Sequence, residues 1–160
     1  MQAMLERLAL RRTRDARALT DGERAIARRA FGTALDLDRV RIHAQPWLPF
    51  QLRGAALAPD GHVWFHAADH RDDFARSPLA QQAWLVHELV HCWQHQQGMA
   101  VVLRGAFDRR YRYALEPGKP FAAYGIEQQA EIVAHAFLLR AGASVRDAPP
   151  LARYDAVLPF

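Results

Sequence analysis

Two histidines four residues apart, with a glutamate after the first, stand in the middle of the chain: His87-Glu88-Leu89-Val90-His91, the pattern HExxH. On a helix, residues four apart share a face, so both imidazoles can reach one ion. Neutral imidazole binds zinc at about 2.0–2.1 Å. Glu88, next to His87, projects to the side of such an ion, where it can take a proton from an attacking water rather than ligate. The same five residues also describe a helix with two wet histidines and a solvated glutamate. The flanks argue against that. Leu85, Val86, Leu89, Val90 and Trp93 are apolar on nearly every side, and histidine or glutamate in a buried helix needs a partner or a metal to offset its desolvation.

A catalytic zinc takes three protein ligands and keeps one open position. The extended pattern HExxHxxGxxH would need glycine at 94 and histidine at 97, where the chain has Gln94 and Gln97. A glutamate on a later helix is the other source. The segment 124–137, YGIEQQAEIVAHAF, supplies Glu127 and Glu131 four apart, with His135 one turn further. Ile126, Ala130, Val133, Ala134 and Phe137 leave only a narrow polar stripe there. The expected division is Glu127 on the metal with His87 and His91. Glu131 then stands behind, accepting the outer ring N–H of a ligating histidine, His87 in the first instance, to fix its tautomer. Glu131 on the metal with Glu127 supporting is the swapped alternative.

Other residues compete for roles. His95 continues the His87/His91 face and as a fourth ligand would close the site, but its Cα lies about 6 Å along the helix from that of His91, which favours a surface or pocket-wall histidine. His62, His66 and His70 read as strand or loop residues, with His66 a candidate for lining the cleft. Tyr111, Tyr113 and Tyr124 lie in or beside the segment between the two ligand helices. One of the three is a candidate hydrogen-bond donor to an oxyanion, with Tyr113 and Tyr124 put first, and each also reads as a packed aromatic. Cys92 points about 100° away from His91 on a helix and reads as a buried apolar side chain.

The elements that must position these groups follow from local signals. Residues 1–18 form a basic lead with Arg11, Arg12, Arg14 and Arg17. Thr20 or Asp21 can cap a helix over 21–31, with Glu23 in its first turn and Gly32 as its stop. VRIHA from Val40 reads as a short strand, ended by Pro46 and Pro49. Two apolar runs around Pro59-Asp60-Gly61 predict a β-hairpin over 55–58 and 62–66. Ser77 as cap and Pro78 at the first helical position open a helix to about 97. Residues 99–125 show no periodicity, a helix covers 126–141 before Gly142, and Pro149-Pro150 begins an irregular tail whose Leu151, Val157, Leu158 and Phe160 can dock on the body. This is one α+β domain over 19–160, mainly helical, with a small antiparallel sheet.

Bulk properties agree. A length of 160 residues suits one domain, and 51% apolar residues suffice for a core. The net charge of +4 is mild and, apart from the leading arginines, unclustered, which argues against nucleic-acid binding. The single Cys92 excludes an internal disulfide, and no apolar run reaches the ~18 residues of a membrane span. The leading residues lack the pattern of a secretory signal, so a cytoplasmic chain is expected, with signal-independent export open.

HELVHCWQHQ followed by YGIEQQAEIVAHAF resembles the Vgr-related proteins of bacteria, which are similar in turn to the metallopeptidase-like domain of extracellular contractile injection systems. Segments 19–42 and 50–66 look like the N-terminal half of that group. The wider resemblance is to the gluzincins, with HExxH and a glutamate on a second helix. It implies a zincin-like fold, with the HExxH helix packed on the Glu-bearing helix beside a small sheet. It also implies zinc on His87, His91 and Glu127, and Glu88 as general base. Glu131 stands where that wider family often has aspartate, one methylene longer. The expected activity is zinc-dependent hydrolysis of a peptide or protein, with contractile secretion-system components as further partners. The rival expectation is a zinc-stapled adaptor or cargo module, and an exported toxin with the same chemistry is a third.

Overall fold

The computed structural model describes residues 16–160, apart from the side chains of residues 103, 106 and 107. The greater part of the expected basic lead lies outside the described residues. Its end does not behave as a lead: Ala16–Arg17 form a strand, β1, paired antiparallel to β2 at Ile42–His43.

Helix α1 (Asp21–Phe31) starts as its sequence requires. The Thr20 hydroxyl accepts from the Glu23 backbone N–H at 3.1 Å, and the Glu23 carboxylate accepts from the Thr20 N–H at 2.9 Å, so each satisfies a donor the helix leaves open. Glu23 does more than the first-turn acid expected from sequence. It is fully buried, receives both arms of the Arg17 guanidinium at 2.7 Å, and accepts from the Phe74 N–H at 2.9 Å. One carboxylate thereby fastens β1, α1 and the short turn at Phe74–Arg76 together.

The expected hairpin forms, with β3 (Ala56–Leu57) antiparallel to β4 (Val63–Phe65). Gly61 at its turn has φ +84°, and a side chain there would meet His95 Nδ1 at 2.8 Å. Both the backbone and the packing therefore require glycine. The sheet as a whole departs from expectation. Its order is β1-β2-β4-β3, and β2 runs parallel to β4. Segment 44–55, broken by Pro46 and Pro49, carries the chain past β4 to the far edge, so the hairpin returns beside β2 in the same direction. β3 is left as an edge strand.

Helix α2 (Leu79–Gln96) holds HExxH, and every residue from Leu85 to Gln94 is buried. Ser77 does not cap it. Pro78 occupies the cap position, and its carbonyl accepts from the N–H groups of Gln81 and Gln82. Proline's extended ψ there ends the preceding turn and starts the helix without a side-chain cap. α2 packs along α4 (Ile126–Arg140), the dominant contact in the molecule. Between them, where no periodicity was legible, α3 (Val101–Phe107) packs on both. A further short helix, α5 (Leu151–Asp155), forms in the tail expected to be irregular, with Tyr154 buried. The tail docks as its apolar residues imply: Phe160 lies 5.1 Å from Phe31 and 5.3 Å from Trp93, ring to ring. The outcome is an α+β fold in which the core packs α2 against α4, with β4 against α2.

Candidate metal centre

The two long helices bring His87, His91 and Glu127 together. Glu127 Oε2 lies 3.2 Å from His87 Nε2 and 3.3 Å from His91 Nε2, and one ligand atom from each residue lies within 4.8 Å of the others. Both histidines present the same nitrogen, as four-residue spacing on a helix allows. Among the described residues this is the one such group of histidine, cysteine and acidic side chains.

The hydrogen bonds behind these ligands test whether a cation fits. Glu131 Oε1 sits 2.9 Å from His87 Nδ1. A carboxylate only accepts, so Nδ1 carries the ring proton, and a neutral His87 then turns a bare lone pair on Nε2 toward the carboxylate of Glu127. Two acceptors at 3.2 Å require a positive charge between them, either a proton or a metal ion. In the metal-free protein it is a proton. Burial alone would lower His87, yet the carboxylates of Glu127 and Glu131 outweigh it and lift its pKa to about 10. Burial likewise works against ionised Glu127, but the imidazoles of His87 and His91 beside it bring it down to about 2. Glu131 is held at about 2 by hydrogen bonds from His135 and His87. The donor set of two imidazoles and a carboxylate with an open side suits zinc.

Glu131 thus stands behind His87, on its Nδ1, and Glu127 is the carboxylate among the converging atoms. Support continues outward. His135 Nε2 is 3.2 Å from Glu131 Oε2, the Tyr113 hydroxyl is 2.7 Å from His135 Nδ1, and Tyr154 is 2.8 Å from Tyr113. On the other ligand, His91 Nδ1 is 2.8 Å from Gln94 Oε1. Sequence reasoning used Gln94 only to reject a longer motif and missed this contact. The available signal was a glutamine one turn past His91 on an otherwise apolar helix.

Glu88 is buried beside the group and outside the converging set. Burial pushes its carboxyl above the ordinary range, against the pull of His87 and His91. Of the tyrosines, the two singled out are engaged elsewhere. Tyr113 points to His135 and Tyr154, while Tyr124 donates to the Ala114 carbonyl, accepts from the Glu116 N–H, and so pins the loop before α4. The tyrosine at the centre is Tyr111, half-exposed, its ring lying over that of His87 at 6.2 Å. The irregular segment carried no periodicity to choose among them.

His95 is exposed, packs against Gly61, and does not approach the ligands. His62 accepts from the Arg41 N–H, His66 from the Ala68 N–H, and His70 from Arg17; none joins the centre. Cys92 is buried, and burial pushes its thiol up.

Two open cavities flank the group along β3. One, of about 480 Å³, lies by Gly54–Leu57 and is walled by Ala83, Trp84, Ala134 and Leu138, with His87, Glu88 and Glu131. The other, of about 510 Å³, lies by Ala56–Pro59 and is walled by Trp47, Leu48, Val101, Val102 and Ile126, with Glu88, His91 and Glu127. Among the described residues no helix is long and apolar enough to cross a membrane.

No family model matches the chain. The type VI secretion system spike protein VgrG2b of Pseudomonas aeruginosa is 38% identical over 132 residues, covering 76% of this chain but only 13% of that protein's length. The solved effector domain of Pseudomonas aeruginosa VgrG2b superposes with a TM-score of 0.77 at 34% identity, covering 88% of this chain and 80% of that domain. In agreement with the Vgr-related resemblance of its sequence, the chain belongs to the family of the VgrG2b effector domain.

Proposed function

We propose that this chain is a zinc-dependent peptidase, of zincin-like build, that acts as an effector of a type VI secretion system. The observation that carries the reading is the convergence of His87 Nε2, His91 Nε2 and the Glu127 carboxylate beside a buried Glu88. A zinc ion held by the three ligands would polarise a substrate carbonyl and acidify water.

The chain's own groups do the rest. β3, at the edge of the sheet among the described residues, takes an extended peptide as a further strand, whose side chains enter the two flanking cavities. Glu88, less solvated than an ordinary carboxylate and therefore a stronger base, takes the proton from the water that attacks the scissile carbonyl. It passes that proton to the amide nitrogen as the C–N bond breaks. Glu131 keeps His87 oriented throughout. Tyr111, over the His87 ring, stands where a donor can meet the developing oxyanion. The partners on this reading are a peptide or protein substrate and a secretion spike component. The latter rests on the relative, a type VI secretion system spike protein.

The test is Glu88→Gln measured against the unmodified chain on a mixed peptide pool. Zinc content should stay unchanged while cleavage falls by about 10²–10⁴-fold. Undiminished cleavage by the variant eliminates Glu88 as base, and absence of cleavage by the unmodified zinc-loaded chain overturns the peptidase reading.

A further inference from the structure

We propose that Gln94 is a positioning residue for the second ligand: it fixes a ring hydrogen of His91 on Nδ1, so that Nε2 is the nitrogen left to a metal ion. The inference rests on the metal-centre reading above and concerns how this chain prepares that site.

Gln94 lies one turn beyond His91 on α2, and its side chain has no solvent exposure. Its two amide ends are nearly alike in shape, so only their partners fix which end faces the histidine. Those partners decide. Gln94 Nε2 is 3.0 Å from the carbonyl oxygen of Ile126 and 2.9 Å from Gln129 Oε1. Gln129 is also buried, and its Nε2 is 2.9 Å from the Tyr124 carbonyl and 3.4 Å from that of Phe121. Backbone carbonyls only accept. The Gln129 amide must therefore turn its NH₂ to Tyr124 and Phe121, which leaves its oxygen toward Gln94. Gln94 must turn its NH₂ to Ile126 and Gln129, which leaves its oxygen 2.8 Å from His91 Nδ1. Reversing either amide would set oxygen against oxygen where both side chains are buried.

Direction thus propagates from three backbone carbonyls through two glutamines to the ligand. An oxygen that only accepts obliges His91 Nδ1 to carry a hydrogen, and the neutral ring then has a lone pair on Nε2. That is the form a divalent cation takes up. The same bonds set distance as well as tautomer. Ile126 and Tyr124 flank Gly125 at the start of α4, and Ile126 is the residue before Glu127. Gln94 thereby ties the second ligand to the helix end that supplies the third. In His87 the Nδ1 hydrogen is fixed by a different device, the Glu131 carboxylate.

The test compares the unmodified chain with Gln94→Met, which keeps size and loses the acceptor, and Gln94→Glu, which keeps the acceptor and loses the donor. Zinc affinity is read by competition with a chromophoric chelator. The imidazole N–H protons of the zinc-loaded proteins are read by proton NMR. Gln94→Met should bind zinc about 10–100-fold more weakly and lose the protected Nδ1–H resonance of His91, while that of His87, held by Glu131, persists. Gln94→Glu should fold less stably yet bind zinc more tightly than Gln94→Met. Zinc affinity of Gln94→Met within roughly twofold of the unmodified chain, against the 10–100-fold loss expected for such a contact, overturns the assignment. So does the reverse order of the two variants, which is what a side chain that only fills space would give. If the unmodified chain takes up no zinc, the metal centre itself is refuted. If it does and Gln94→Met matches it, only the role of Gln94 is.

Discussion

Zinc must displace a proton from this site, and the displacement is measurable. In the metal-free protein His87 is held protonated by Glu127 and Glu131, with a pKa of about 10 instead of the ordinary 6.5. Its Nε2 can ligate only when that proton has left. At pH 8 an ordinary histidine would already be neutral, and zinc affinity would be flat from there upward. With His87 at about 10, one proton is still bound at pH 8 and is released on binding. The dissociation constant should then rise about tenfold for each unit by which pH is lowered from 9 to 7, or about 1.4 kcal/mol per unit. The sign follows from a raised pKa: lower pH favours the protonated, metal-free form. Titration calorimetry at pH 8 in buffers of different ionisation enthalpy counts the released protons directly, and one is expected from His87 in addition to any given up by zinc-bound water. Zero protons released, together with an affinity independent of pH between 8 and 9, would refute the charge arrangement described for His87, Glu127 and Glu131.

Other predictions follow from the same contacts. Zinc at about a hundred times its dissociation constant should stabilise the fold by ~2.7 kcal/mol, raising Tm by about 5–10 °C for a domain of this size, as scanning calorimetry would show; an unchanged Tm would mean that folded and unfolded chains bind zinc equally. Glu131→Ala should weaken zinc binding about 10–100-fold, because His87 then loses the partner on its Nδ1; chelator competition reads this, and an unaffected constant would make Glu131 a bystander. Arg17→Met leaves the fully buried Glu23 carboxylate without its cation. It should cost about 3 kcal/mol, the low end for breaking a buried pair because Arg17 is partly exposed. Chemical denaturation would check this, and a loss below about 1 kcal/mol would show that the hydrogen bonds from Thr20 and Phe74 suffice.

What the sequence disclosed depended on whether a group's partner lay within a helical turn. HExxH and the Glu127–Glu131 pair are legible because four-residue spacing on a helix dictates a shared face, and an apolar surround makes an unused carboxylate costly. The capping pair Thr20 and Glu23 is legible for the same local reason, but the burial of Glu23 under Arg17 is not, since Arg17 read as part of a solvated lead. α3 was invisible: Val101, Val102 and Gly105 are weak helix formers, and packing against α2 and α4 organises them. Two-residue strands carry no alternation, so the parallel pairing of β2 with β4 had no signal. Tyr111 could not be preferred to Tyr113 or Tyr124 because the irregular segment fixes no side-chain direction. Gln94 eluded sequence reasoning because its meaning depends on Gln129, thirty-five positions away, and on carbonyls that no side chain reports.

The measurement that bears most directly on the central claim is a crystal structure of the zinc-soaked protein with anomalous data at the zinc edge. One strong peak is expected at about 2.0–2.2 Å from His87 Nε2, His91 Nε2 and a Glu127 oxygen, with a position left open toward β3. A zinc peak on other residues, or none at the centre with Glu127 still in direct contact with the two imidazoles, would contradict it.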